Sequence, residues 1–148
     1  MRTAPFRNML MPPIGRYMTR QPWTIDRAAT LTAAHELMRA HSIRHLPVTD
    51  AGKLVGIVSE RDLHLIETFP DADPDDVHVE EAMTEHVYIA SPKDDVAEVV
   101  ERMADQKIGS VVVMTDASIE GIFTSIDALQ VLASVLRRTI DPPDSGAD

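Results

Sequence analysis

Apolar positions along the chain change period several times, and each change marks an element. Leu31, Ala34, Leu37 and Met38 recur at helical spacing behind Thr30, which predicts a capped helix from Leu31 to about Ala40. Trp23-Thr24-Ile25 before it reads as a short strand. Arg44 to Thr49 is the next extended run, and its Pro47 suggests a sheet edge or a ligand-facing backbone. After the turn Asp50-Ala51-Gly52-Lys53, Leu54 to Val58 is a nearly continuous apolar strand, expected to be buried on both faces. Ser59 then opens a helix carrying Leu63, Leu65 and Ile66.

The same succession follows in the second half. Tyr88-Ile89-Ala90 reads as a strand. Val96, Val99, Val100 and Met103 make a helix face, Ser110 to Met114 and Ile119 to Phe123 read as strands, and a Leu- and Val-rich helix closes from Thr124 to about Arg138. Gly56-Ile57-Val58-Ser59-Glu60-Arg61-Asp62 and Gly121-Ile122-Phe123-Thr124-Ser125-Ile126-Asp127 coincide at a constant offset of 65 residues, with no gaps from Met18 and Met83 onward. Two strand-helix-strand-strand-helix units, each too small to bury its own sheet, are expected to pack about a pseudo-two-fold axis into one α/β body with two equivalent clefts. The expected boundaries are a tail or docking arm at 1–13, a first repeat at 14–68, an acidic linker at 69–78, a second repeat at 79–138 and a disordered tail at 139–148. The arm holds Phe6, Met9, Leu10 and Met11, and Ile14 to Met18 is expected to form one helical turn.

Composition narrows the function. The 148 residues are 44% hydrophobic, enough for a packed interior, and carry no cysteine, which excludes disulfides and thiolate sites and suits a reducing cytoplasm. A net charge of −10 argues against nucleic acid and anionic membranes, so a phosphate ligand must find local cations against an acidic background. No apolar run reaches transmembrane length. Arg2 and Arg7 precede only a short apolar stretch broken by Pro12-Pro13, which fails as a signal peptide.

Ser59-x-x-Asp62 and Thr124-x-x-Asp127 fit a helix N-terminus. They are helix caps on one reading. On the other, a strand-to-helix turn with free amides, a hydroxyl and an acid holds a ribose-phosphate; the two readings are compatible. Other chemistry finds little support. The linker acids Asp71, Asp73 and Asp75 lack the Gly and distal Glu of a calcium loop. His35 and His41 have the wrong spacing for a zinc-protease helix. His64, His78 and His86 have no partner nearby in sequence, so no metal ligands are assigned. No serine sits in a nucleophile elbow, and no catalytic residues are assigned.

Ser42-Ile43-Arg44-His45-Leu46-Pro47-Val48-Thr49-Asp50, followed by Gly52 and Leu54 to Leu63, resembles a CBS domain, named after cystathionine β-synthase. The run through Ile119 to Asp127 is a drifted second copy, so about residues 14–137 resemble a tandem CBS pair, or Bateman module. The resemblance implies a free-standing regulatory module, without catalysis or a required cofactor, that binds AMP, ADP, ATP or S-adenosylmethionine between the repeats. It also implies a homodimer that signals to an enzyme or transporter. Carried over by position, the first site would comprise Thr24, Ile25, Arg44, His45, Pro47, Ser59, Arg61 and Asp62. The second would comprise Ile89, Ala90, Ser110, Val112, Thr124 and Asp127. Asp62 and Asp127 would accept from ribose hydroxyls, Ser59 and Thr124 would face phosphate, and backbone near Thr24-Ile25 and His45-Pro47 would read adenine. Arg44, His45 and Arg61 become Gly109, Ser110 and Ile126 in the second copy, so the first site should favour the more charged ligand. Surface pairing with the many acids is the competing reading for Arg44 and Arg61. A dimeric scaffold with empty clefts, and a small nucleotide-hydrolysing enzyme, are the alternatives to a ligand sensor.

Overall fold

The Thr30 hydroxyl accepts a hydrogen bond from the Ala33 amide, and Asp95 does the same for Ala97, so the first long helix of each repeat starts where the apolar pattern begins. In the computed structural model, which describes residues 12–140, these are α1 (Leu31–His41) and α4 (Val96–Gln106). Each ends on a left-handed residue, Ser42 at φ 53° and Lys107 at φ 57°. The expected docking residues Phe6, Met9, Leu10 and Met11 and the tail at 141–148 lie outside the described residues.

The first repeat forms a sheet in the order β2-β3-β4, from β2 (Ile25–Asp26), β3 (His45–Asp50) and β4 (Lys53–Ser59). The second forms β1-β7-β6-β5, from β1 (Thr19–Arg20), β5 (Ile89–Ala90), β6 (Ser110–Thr115) and β7 (Ser118–Thr124). Helices α2 (Glu60–Glu67), α3 (Val79–Ala82) and α5 (Ser125–Ile140) complete the body, α5 continuing past its expected end at Arg138.

The repeats exchange their leading segments. A short 3-10 turn, Ile14–Arg16, delivers Ile14 into the core of Val96, Val99, Met103, Val111, Val113 and Phe123, and β1 pairs antiparallel with β7. Reciprocally, α3 delivers Val79 into the core of Leu31, Ala34, Met38, Leu46, Val48, Val58 and Leu63, and Thr84 bridges Ile57. Pro13 with Asp95 and His78 with Thr30 repeat the pattern. Every contact occurring twice with the repeats interchanged is what a pseudo-two-fold axis requires. The linker is held too: Leu31 and Thr32 donate to the carbonyls of Val77 and Pro74, and the Thr32 hydroxyl bonds Asp75.

This exchange explains the two motif glycines. A Cβ on Gly56 would stand 2.6 Å from the Met83 sulfur and 2.9 Å from the Thr84 carbonyl oxygen; on Gly121 it would stand 2.6 Å from the Met18 sulfur and 2.8 Å from the Thr19 carbonyl oxygen. Glycine is therefore needed where the neighbour's leading segment crosses the sheet.

Two expectations are corrected. Leu54 to Val58 is not buried on both faces: β4 is the last strand of its sheet, with Gly56 and Val58 buried and Leu54, Val55 and Ile57 half-buried. Pro47 lies neither at an edge nor on an open backbone: it is buried in the central strand β3, opposite Ile57. In the second repeat the equivalent Val112 amide donates to the Tyr88 carbonyl at 3.0 Å. Pro47 has no N–H to give, so ladder pairing with β2 begins only at Ile25 with Val48. The expected strand at Trp23 to Ile25 shortens accordingly. The Trp23 carbonyl is left without a hydrogen-bond partner among the described residues.

Candidate functional site

The interchange of leading segments builds a cleft from both repeats. One wall is Thr19 to Trp23 and the α1–β3 connection Ser42 to His45; the other is the end of β7 and the start of α5, with Thr124, Ile126 and Asp127. The cleft is about 530 Å³, within the range of small-molecule sites. Arg44 and His45 thus line one cleft with Thr124 and Asp127 of the other repeat, while His45 also pairs with Ser59 across the β3–β4 ladder and feels the charge of Asp62. Sequence correspondence grouped each repeat's residues together; the crossing of leading segments regroups them.

On the second wall, the Thr124 amide donates to Asp127 Oδ2 at 2.9 Å, and the Thr124 hydroxyl donates to the same oxygen at 3.3 Å. Asp127 Oδ1 is left for a ligand. In the first repeat the Ser59 amide donates to Asp62 Oδ2 at 2.8 Å and the Asp62 amide donates to Ser59 Oγ at 3.1 Å, a closed capping box. The Ser59–Asp62 pair is a full capping box and the Thr124–Asp127 pair only the half in which the acid bonds the first amide; in each the acid keeps one oxygen outside the cap.

Arg20 and Arg44 supply the cations of this cleft, and neither forms an ion pair among the described residues. Arg61 is likewise exposed and forms no ion pair among the described residues. The His45 ring packs toward Gly109 of the other repeat, 3.4 Å from where a Cβ would stand. Burial holds the His45 pKa below its ordinary value of 6.5; Asp62 opposes the shift and Arg44 adds to it. Its ring is therefore neutral at neutral pH and available as donor or acceptor.

Of the remaining expected positions, Thr24 is exposed, while Ile25, Pro47, Ala90, Ser110 and Val112 are buried and Ile89 is exposed; none lines this cleft. Ser59, Arg61 and Asp62 do not line this cleft either; by the 65-residue offset their counterparts to its first wall are 84–88 and 107–110. Sequence reasoning missed Arg20, Gln21 and Trp23. Trp23 is half exposed, with its ring stacked on His41 at 3.8 Å between centroids. An exposed tryptophan just before a strand was the available signal.

The CBS domain family model matches residues 14–65 and again 79–134, the two halves related by the 65-residue offset. The chain belongs to the CBS domain family. CBS domain pairs are typically regulatory rather than catalytic. This CBS pair is similar to a Vibrio cholerae protein described as an acetoin utilization protein (AcuB), 33% identical, with a TM-score of 0.78 over 88% of this chain and 97% of that one. It is also similar to the CBS domain pair of protein MJ0100, solved with 5′-methylthioadenosine and S-adenosyl-L-methionine: 26% identity, TM-score 0.77, 85% of this chain and 99% of that one. Among curated proteins it resembles Hypoxic response protein 1 of Mycobacterium tuberculosis, 28% identical over 66% of this chain and 69% of the relative. Among the described residues no helix is long and apolar enough to cross a membrane.

Proposed function

We propose that this CBS pair is a ligand sensor whose main cleft takes an anionic adenosine nucleotide (AMP, ADP or ATP). The observation that carries the reading is the meeting of Asp127, one carboxylate oxygen outside its cap, with two unpaired guanidiniums from the other repeat. Asp127 Oδ1 accepts from ribose hydroxyls, the Thr124 and Ser125 end of α5 and Arg44 or Arg20 meet phosphate, and the Trp23 carbonyl offers an acceptor to the adenine amine. The adenosine ligands of the MJ0100 pair support the base and ribose part of this assignment. Because the cleft joins two repeats, a ligand that fits one inter-repeat angle better than another shifts that equilibrium, and a protein partner such as an enzyme or transporter reads the shift.

The test is thermal melting with AMP, ADP, ATP and S-adenosylmethionine in wild type, Asp127→Ala and Asp62→Ala. A ligand at about a hundred times its dissociation constant stabilises by about 2.7 kcal/mol. The expected shift appears with a phosphorylated nucleotide and is lost in Asp127→Ala. No shift with any of the four at millimolar concentration ends the reading.

A second reading, an interaction scaffold with empty clefts, has one observation in its favour. Ile126, Leu129, Leu132 and Leu136 lie exposed along α5. A second copy of the chain is the proposed occupant of that face on either reading. A homodimer without nucleotide binding favours the scaffold.

A further inference from the structure

His35 stands on α1, and His64 and Glu67 stand three apart on one face of α2. The fold brings one ligand atom from each of the three to within 4.8 Å of the others. His35 Nε2 and Glu67 Oε1 are 2.5 Å apart, and the His35 and His64 rings stack with centroids 5.4 Å apart. His35 and Glu67 are only 22% and 25% exposed, whereas His64 faces solvent. In the second repeat the same positions hold Val100, Leu129 and Leu132. The repeat architecture therefore needs none of these three polar groups, and a His35–Glu67 tie alone would leave His64 unexplained.

We propose that His35, His64 and Glu67 bind a zinc-class divalent cation that ties α1 to α2. Two imidazoles and one carboxylate are a donor set for zinc, with a fourth position open to water on the His64 side. Bonds of about 2.0–2.2 Å at tetrahedral angles place ligand atoms about 3.3–3.6 Å apart. The His35–Glu67 contact opens by about 1 Å to reach that spacing, and rotation of the exposed His64 closes the rest. Glu60 lines the same groove and adds negative charge, while Arg39 and Arg44 oppose it. The segment Ser42 to Arg44 walls this groove on one side and the main cleft on the other, so the cation would sit directly behind the cleft.

The test is calorimetric titration of the full chain with ZnCl2, with Co2+ as an optical probe of coordination. Wild type is expected to take one equivalent, with the intense visible absorption of four-coordinate Co2+. His35→Val, His64→Leu and Glu67→Leu carry the second repeat's residues and so suit the fold. Loss of an outer-shell partner commonly weakens metal binding about 10–100-fold, so loss of a ligand should cost at least about a hundredfold. His64→Gln, polar and exposed, serves if the leucine variant fails to fold, and His41→Ala should bind as wild type does. Absence of stoichiometric uptake, uptake undiminished in both His64 variants, or uptake lost in His41→Ala overturns the proposal.

Discussion

The cleft at Asp127 and the corresponding place at Asp62 share one repeat register and differ in charge. The cleft at Asp127 is lined by Arg20, Arg44 and His45; the 65-residue offset puts Glu85, Gly109 and Ser110 at the corresponding positions. The start of the helix differs as well, with Ser125 and Ile126 in one place and Glu60 and Arg61 in the other. Backbone geometry has been held constant between the copies: the Ser125 amide donates to the Gly109 carbonyl at 3.0 Å, as the Glu60 amide does to the Arg44 carbonyl at 2.9 Å. The repeat fixes where a ligand sits, and a few side chains on that fixed backbone decide which charge it carries.

The largest effect comes from moving that charge. Arg44→Gly gives the first cleft the second one's residue and leaves the backbone bond in place. Losing one charge-assisted hydrogen bond costs about 1.5–3 kcal/mol, about tenfold or more in nucleotide affinity. Gly109→Arg is the reciprocal change, and its backbone accepts it: φ is not left-handed, and an added Cβ meets nothing closer than 3.4 Å. It should raise binding of the same nucleotide at the Asp62 side. Calorimetric titration of both variants checks the pair; equal affinities in Arg44→Gly and wild type would show that Arg44 does not read the ligand's charge.

Next comes the crossing that makes the clefts. Gly56→Ala and Gly121→Ala each push a methyl group against a methionine sulfur, which can move, and a strand carbonyl, which cannot. Overpacking of this kind costs about 1–3 kcal/mol. The two crossings are equivalent, so the two losses should match in urea melts. A loss at one glycine only would show that the crossings are unequal in strength.

Much of this was legible in the chain. The 65-residue offset, the caps at Thr30 and Ser59 and the helix start at Thr124 sit on local patterns of hydroxyl, acid and apolar spacing; the structure reproduces the two caps, and at Thr124 only the bond from its amide to Asp127. The regrouping of Arg44 and His45 with Thr124 and Asp127 was not legible, because no local pattern records that Thr19 pairs with Ile122 of the other repeat. Pro47 misled for a related reason. Its missing donor was read as an edge, whereas the chain keeps Pro47 in a central strand by starting the β2 ladder one residue later. His64 looked partnerless because His35 reaches it only through the packing of α1 on α2, and Glu67, three residues on, is by itself an ordinary helix neighbour.

The smallest expected effect lies in protonation at the seam between the two halves. His45 has a folded pKa lowered mainly by burial, opposed by Asp62 and assisted by Arg44, and its counterpart Ser110 does not titrate. The unfolded chain binds the His45 proton more readily than the folded chain, so stability rises with pH through this group. The contribution is fully present above the ordinary value of 6.5 and is lost as pH falls from there through the lowered folded value. Urea melts of wild type and His45→Ser, which installs the second repeat's residue, should therefore converge in slope above neutrality and diverge in acid, wild type losing stability faster. Parallel pH profiles would mean that His45 is as easily protonated folded as unfolded, and that the seam carries no buried neutral imidazole.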